Sequence, residues 1–314
     1  MKKKLYTLIC SLVLTLTGAA QQDPQYNLYQ FNQMIINPAY AGAKDGLSAM
    51  AATRQQWVGI NGSPKTTCFS IHSPFLKKNL GLGLTVLNDM IGPRNVINVS
   101  GNVAYILKLN RKLKLSVGFN AGYNRYQFNF NKVQFYGTDE IPSEFYQNKN
   151  KGTLDIGAGA FLRTHNFFVG ISSSHLTSPS IYDYKHSDSA TGNSKDFAYR
   201  LRAHISLTAG YSYKINDDAI FAPTIMVKEV NGLVSGDVNL NFFLFKKLWL
   251  GVFYRTGFGS GALLQYHITD KMRVAYSYDS GLKDVRKLGG SHEILIGFDL
   301  AGKQKTKVAS PRFL

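Results

Sequence analysis

Arg200-Leu201-Arg202-Ala203-His204-Ile205-Ser206-Leu207-Thr208-Ala209-Gly210-Tyr211-Ser212-Tyr213-Lys214 alternates at every step between an apolar side chain and a polar or small one. Successive side chains of an extended strand point to opposite faces. Leu201, Ala203, Ile205, Leu207, Ala209, Tyr211 and Tyr213 therefore make one greasy face, and the residues between them a polar one. A soluble sandwich would pack the greasy face on a second sheet, whereas an outer-membrane barrel turns it to lipid and lines its lumen with the other. The same pattern, bounded by turn residues, recurs near 46–57, 65–73, 80–89, 96–107, 113–126, 152–164, 166–175, 200–214, 219–229, 234–245, 247–256, 260–268, 271–279 and 292–300. That makes about fourteen strands, and an even number is what bacterial single-chain barrels have.

Connection lengths favour the barrel. Membrane barrels carry short turns on the periplasmic side and long loops outside. Leu109-Asn110-Arg111, Thr164-His165, Ile215-Asn216-Asp217-Asp218 and Thr269-Asp270 all follow even-numbered strands, while the long connections, 127–151, 176–199 and 280–291, all follow odd-numbered ones. A sandwich has no reason to keep that parity. It also places both ends of the barrel in the periplasm.

The start of the chain agrees with export. Lys2, Lys3 and Lys4 precede an apolar run from Leu5 to Leu16, and Gly18-Ala19-Ala20 offers small residues for cleavage before Gln21 or Gln22, the layout of a secretory signal peptide. Nothing after Gln21 supplies the roughly 18 consecutive apolar residues of a transmembrane helix. Loss of the three lysines takes the net charge from +17 to +14, and Cys68 becomes the only cysteine, so no internal disulfide forms. The basic balance suits loops, lumen, lipopolysaccharide phosphates or an acidic protein; an exported chain rarely meets nucleic acid. The expected layout is a signal peptide at 1–20, an N-terminal periplasmic segment at 21–45, a transmembrane antiparallel β-barrel of all-β class at 46–300 and a basic periplasmic tail at 301–314.

Outward sets are clearest in Leu113, Leu115, Val117, Phe119, Ala121 and Tyr123, in Leu154, Ile156, Ala158, Ala160 and Leu162, and in Ile294, Ile296, Phe298 and Leu300. Lys114, Asp155, Arg163, Arg200, Arg202, Lys214, Asp237, Arg255, Arg273, Asp279, Glu293 and Asp299 are expected to face a polar lumen. Both signs are present, which fits a lumen cross-linked by ion pairs as well as a water-filled pore. Tyr105, Tyr123, Tyr211, Tyr213, Tyr254, Tyr266, Tyr276 and Tyr278 sit near strand ends, where an aromatic girdle is the expected use, although strand propensity alone also enriches tyrosine.

Before the first strand stand Asp23-Pro24-Gln25-Tyr26, Phe31-Asn32 and Ile36-Asn37-Pro38-Ala39-Tyr40-Ala41-Gly42. After it come Arg54-Gln55-Gln56-Trp57-Val58-Gly59, Gly62-Ser63-Pro64, Gly81-Leu82-Gly83-Leu84-Thr85-Val86, Asn88-Asp89 and Ile91-Gly92-Pro93. This series resembles the PorP/SprF family of outer-membrane proteins of the type IX secretion system of Bacteroidetes. The resemblance implies a barrel that works with type IX secretion components, periplasmic ring or peptidoglycan-linked proteins, outer-membrane lipid and, in some relatives, a large secreted surface adhesin or gliding motility. It implies no cofactor. Its signature positions here, Asn37, Pro38, Ala39, Tyr40, Gly42, Arg54, Gln55, Trp57, Gly59, Asp89 and Gly92, are structural or docking candidates. Asn37 before Pro38 favours an extended, turn-starting backbone, and Gly42 lets the chain turn tightly into the first strand. Residues 21–42 are expected at the periplasmic mouth, with Arg54 paired to an inward carboxylate and Trp57 as an interfacial anchor.

Catalytic chemistry finds no support. His72, His165, His175, His186, His204, His267 and His292 make no HExxH pair and no metal-like cluster. Ser172-Ser173-Ser174-His175 lies in a strand, where neighbours point to opposite faces, and Gly257-Phe258-Gly259-Ser260-Gly261 lies between strands with no helix to cradle phosphate. A secretion partner is therefore the leading reading, and a diffusion porin or uptake channel the alternative.

Overall fold

The computed structural model describes residues 23–75, 79–133, 148–187, 194–281 and 289–300. Its strands form one closed antiparallel barrel of fourteen. They are β1 (Leu47–Gln55), β2 (Lys65–Phe75), β3 (Leu80–Ile91), β4 (Arg94–Lys108), β5 (Lys114–Phe128), β6 (Lys149–Arg163), β7 (Phe167–Ser174), β8 (His204–Tyr211, resumed at Tyr213–Lys214), β9 (Ala219–Phe221, resumed at Thr224–Val230), β10 (Leu233–Leu244), β11 (Leu248–Arg255), β12 (Gly259–His267), β13 (Met272–Gly281) and β14 (Ser291–Leu300). Each pairs with its sequence neighbour, and β14 closes on β1 with Leu47 opposite Leu300 and Gln55 opposite His292. The interruption of β9 falls at Pro223, which has no N–H to give the ladder; its carbonyl accepts from Tyr211 N at 3.1 Å. The expected signal peptide at 1–20 and the basic tail at 301–314 lie outside the described residues.

Alternation decides which way each side chain faces. Val117, Phe119, Tyr123, Leu154, Ile156, Ile294, Ile296, Phe298 and Leu300 all lie on the outside of the barrel, Leu154 reaching 72 % exposure. All eight expected girdle tyrosines are exposed as well. Apolar side chains covering the outer wall to this extent need lipid around them. Loop parity holds too: the connections 129–148, 175–203 and 282–290 follow β5, β7 and β13. The same end also carries two tight turns, Gly92-Pro93 and Asn231-Gly232. Asn231 and Gly232 both take positive φ, as a type I′ hairpin turn demands.

Two expectations change. β8 begins at His204, not Arg200, because Leu201 leaves the outer face and packs with Val96, Tyr126 and Ile181. The connection 176–199 is not a plain loop; Ser180–Ser187 and Ser194–Arg200 pair as an antiparallel hairpin. Ile181 and Leu201 at the base of that hairpin bury themselves on inward residues of β4 and β5, and burial of apolar surface outweighs continued alternation.

The larger change concerns residues 23–44. They do not sit at the mouth; they run inside the barrel for its length. Asp23 lies beside His175 and His204, where β7 ends and β8 begins, and Lys44 lies beside Asp299 at the far end of β14. The described chain therefore begins at the long-loop end and finishes, at Leu300, at the short-turn end, so the two described ends do not share one side. Three 3₁₀ turns, Tyr29–Phe31, Gln33–Ile35 and Pro38–Tyr40, fold the segment compactly enough to fit.

The hydrophobic core is consequently inside the barrel. Leu28, Tyr29, Phe31, Met34 and Tyr40 of the segment pack with Met50, Phe161, Phe168, Phe243, Trp249 and Phe253 of the wall. Phe31 meets Trp249 edge-on with centroids 5.9 Å apart, and Tyr40 meets Phe161 at 5.3 Å and His72 at 5.5 Å. The lumen is thus part apolar, not uniformly polar, because an aromatic segment occupies it.

Candidate functional site

The site is the contact between the lumenal segment and the wall. Its lower part is built on Asn37. Asn37 Oδ1 accepts from Ala39 N at 2.9 Å and so caps the Pro38–Tyr40 turn, while Nδ2 donates to the carbonyls of Ala160 on β6 (3.0 Å) and Ile171 on β7 (3.2 Å). One amide thereby closes a turn and ties it to two strands. Pro38 follows as the first residue of the turn, where its missing N–H costs nothing.

Glycines on the wall make room for this backbone. A Cβ on Gly118 would lie 2.4 Å from Cα of Ala39, one on Gly81 2.0 Å from the carbonyl oxygen of Ala41, and one on Gly159 2.2 Å from Asn37 Oδ1. Gly42, at φ +69°, completes the bend into β1 against Gly81 and Pro74. Of the sequence signature, Asn37, Pro38, Ala39, Tyr40 and Gly42 come together here, all buried.

Charged anchors hold the upper part. Arg54 pairs with Asp279 at 2.8 Å and Glu293 at 3.6 Å, and Glu293 accepts the backbone N–H groups of Asn27 (2.6 Å) and Leu28 (3.3 Å). Arg255 joins Asp237 (2.6 Å) to the carbonyl of Tyr26 (2.8 Å). Lys44 and Arg273 share Asp299. The pairing of Arg54 with an inward carboxylate follows the sequence reading, and Asp155, Arg163, Asp237, Arg255, Arg273 and Glu293 are buried inside the barrel. Arg200, Arg202 and Lys214 are exposed instead, because they stand at the hairpin base and the short-turn rim.

Replacing Arg54 by Ala leaves Glu293 buried without its cation. A broken buried pair costs about 3–5 kcal/mol, so the barrel should lose its folded, heat-shiftable form on gels at a clearly lower temperature. Arg54→Ala together with Glu293→Gln should recover part of that loss; a double variant as unstable as the single one speaks against the pairing.

The remaining signature residues line the long-loop end. Asp89 accepts from Thr66 Oγ1 at 2.7 Å and pairs with Arg94 at 2.9 Å. Gln55 donates to Ser63 at 2.9 Å, Gly92 turns at φ +53° with its N–H on Gly62 O, and Trp57 (φ +50°) and Gly59 (φ +108°) shape the β1–β2 loop. Trp57 is half-buried there, with its backbone N–H turned to Ser291, rather than projecting as a free anchor.

One cluster went unread in the sequence. His175 Nε2 lies 2.8 Å from Asp23 Oδ1, His204 Nδ1 lies 2.8 Å from Asp23 Oδ2, and His175 Nδ1 lies 2.6 Å from Asp155. Burial disfavours charge on His175, but the two carboxylates outweigh it and raise the imidazole to about 10. The sequence separations, 152 residues for Asp23–His175, conceal the group. Ser172 takes no part: its hydroxyl donates to Ile36 O at 2.9 Å. Beside the cluster lies a cavity of about 170 Å³ with a mixed lining, Asn98, Asn120, Asn124 and Ser206 among its polar residues.

A family model described as type IX secretion system membrane protein PorP/SprF matches residues 18–298. No curated protein sequence matches the chain significantly. Among solved structures, the monoaromatic hydrocarbon channel CymD shares 12 % identity at a TM-score of 0.51, over 92 % of this chain and 96 % of that one. The toluene transporter TodX of P. putida gives 10 % and 0.50 over 91 % and 97 %, and TbuX of Ralstonia pickettii 11 % and 0.50 over 90 % and 95 %. At such identity the likeness concerns the barrel fold alone.

Proposed function

This chain belongs to the PorP/SprF family of type IX secretion system membrane proteins, and from that membership we propose that it is a plugged outer-membrane barrel that supports export or surface attachment of protein clients, adhesins among them, and not a pore for small solutes. The observation that carries the reading is the occupied lumen. Residues 23–44 bond to β2, β6, β7, β10, β11, β13 and β14, and the largest side chains among them are buried. A diffusion pore needs a continuous water path, and a segment fixed around the circumference interrupts it. A partner in a larger machine needs instead a rigid wall and loops free to bind. The long-loop end, with its hairpin, is the surface we assign to the cell exterior, and the short-turn end to periplasmic secretion components.

Deleting the gene tests this. One or a few surface proteins should disappear from the cell surface while uptake of small sugars and amino acids stays normal. Impaired uptake with an unchanged surface proteome would sink the secretion reading and promote the channel.

A further inference from the structure

We propose that Asp23, His175 and His204 bind one divalent transition-metal ion of the zinc class, and that the ion latches the beginning of the lumenal segment to the strand ends flanking the loop hairpin. The inference stands apart from the secretion role and rests on geometry.

The three residues each present one ligand atom, and these atoms lie within 4.8 Å of one another. Two imidazoles and a carboxylate are the donor set of zinc, cobalt and nickel sites. Calcium is the wrong guest, since it takes six to eight oxygens. Donors about 2.0 Å from a tetrahedral ion stand about 3.3 Å apart. The present 2.8 Å separations are hydrogen bonds, so an ion entering in place of the bridging protons parts each imidazole from Asp23 by about half an ångström.

An outer carboxylate marks the group as built. Asp155 accepts from His175 Nδ1 at 2.6 Å and turns the opposite nitrogen toward Asp23, the arrangement by which an outer carboxylate orients a metal-bound histidine. His204 Nε2 and Asp155 Oδ1 are buried without a hydrogen-bond partner among the described residues, on side chains of which His204 is 5 % and Asp155 6 % exposed. His204 presents Nδ1 to Asp23, so water in the adjoining cavity, rather than the ion itself, is what can reach these two atoms. The adjoining cavity of about 170 Å³ has room for that water as fourth ligand.

Placement gives the ion its role. Asp23 opens the described segment, His175 directly follows β7 and His204 begins β8. A single ion would tie three chain segments at the point where the hairpin Ser180–Ser187/Ser194–Arg200 leaves the wall.

The test uses the mature protein in detergent, stripped with chelator and titrated with Co²⁺. One equivalent should give visible ligand-field absorption that Zn²⁺ displaces. His204→Ala and Asp23→Ala should abolish it, Asp155→Asn should weaken binding about 10–100-fold, and His165→Ala, on an exposed short turn, should leave it unchanged. Hydrogen exchange of unmodified protein supplies a readout that needs no variant: Zn²⁺, but not Mg²⁺, should slow the amides of residues 23–30 at least about tenfold. Absence of the absorption, its survival at equal affinity in His204→Ala, or exchange indifferent to zinc overturns the site.

Discussion

Deleting residues 23–42 is expected to turn a barrel that passes almost no steady current in a planar bilayer into one with large, stable conductance. Eight strands enclose a space that side chains fill, and sixteen leave an aqueous channel. Fourteen strands need further filling, and the lumenal segment supplies it. Every ladder that closes the wall is made between barrel strands, so the wall can survive the deletion. It should be weakened nevertheless. Leu28, Tyr29, Phe31, Met34 and Tyr40 are buried against it, and burial of one such side chain is worth about 1.5–3 kcal/mol. Glu293 and Arg255 also lose partners. The deleted barrel should still shift on gels, at a lower temperature, and conduct. Unchanged low conductance would mean that the long loops, not the segment, seal the lumen; large currents from the intact protein would remove the plug altogether.

Gly118→Val is expected to prevent the segment from seating. The new Cβ would stand 2.4 Å from both N and Cα of Ala39 and 2.6 Å from the carbonyl carbon of Pro38. All three are backbone atoms on a capped turn, so no rotamer change relieves the clash. Overpacking in close-packed interiors costs about 1–3 kcal/mol and more where nothing yields. Yield of heat-shiftable barrel should fall at least about fivefold. Gly101→Val is the control, since a Cβ there meets nothing within 4 Å. In the background lacking residues 23–42, Gly118→Val should become as harmless as Gly101→Val. That coupling is the decisive reading: equal damage with and without the segment would falsify the idea that Gly118 exists to admit it.

The cradle left a signal in the sequence that went unread. Gly81-Leu82-Gly83-Leu84 reads as a strand whose one face is leucine and whose other face is bare, and the bare face is where Ala41 and Met34 approach. Bare positions announce a close neighbour without naming it. The signature from Asn37 to Gly42 announced a rigid lead into the first strand but not its depth. A stretch of asparagine, glutamine and aromatic residues has no period of 2 or 3.6, and so nothing local says whether water or wall surrounds it.

The amino-acid sequence by itself determined the fourteen strands, the face each turns outward, the parity of the long loops, the exposed tyrosines and the pairing of Arg54 with an inward carboxylate. These follow from alternation, which a strand enforces residue by residue, and from turn residues acting over a few positions. Only the tertiary structure decided that residues 23–44 fill the lumen, that Leu201 abandons the outer face for Val96 and Tyr126, and that Asp23 meets His175 and His204. Each of these joins segments far apart in the chain, 266 residues in the case of Asn27 and Glu293. Such contacts exist only once barrel closure has fixed which inward positions face one another, and closure is a property of all fourteen strands together.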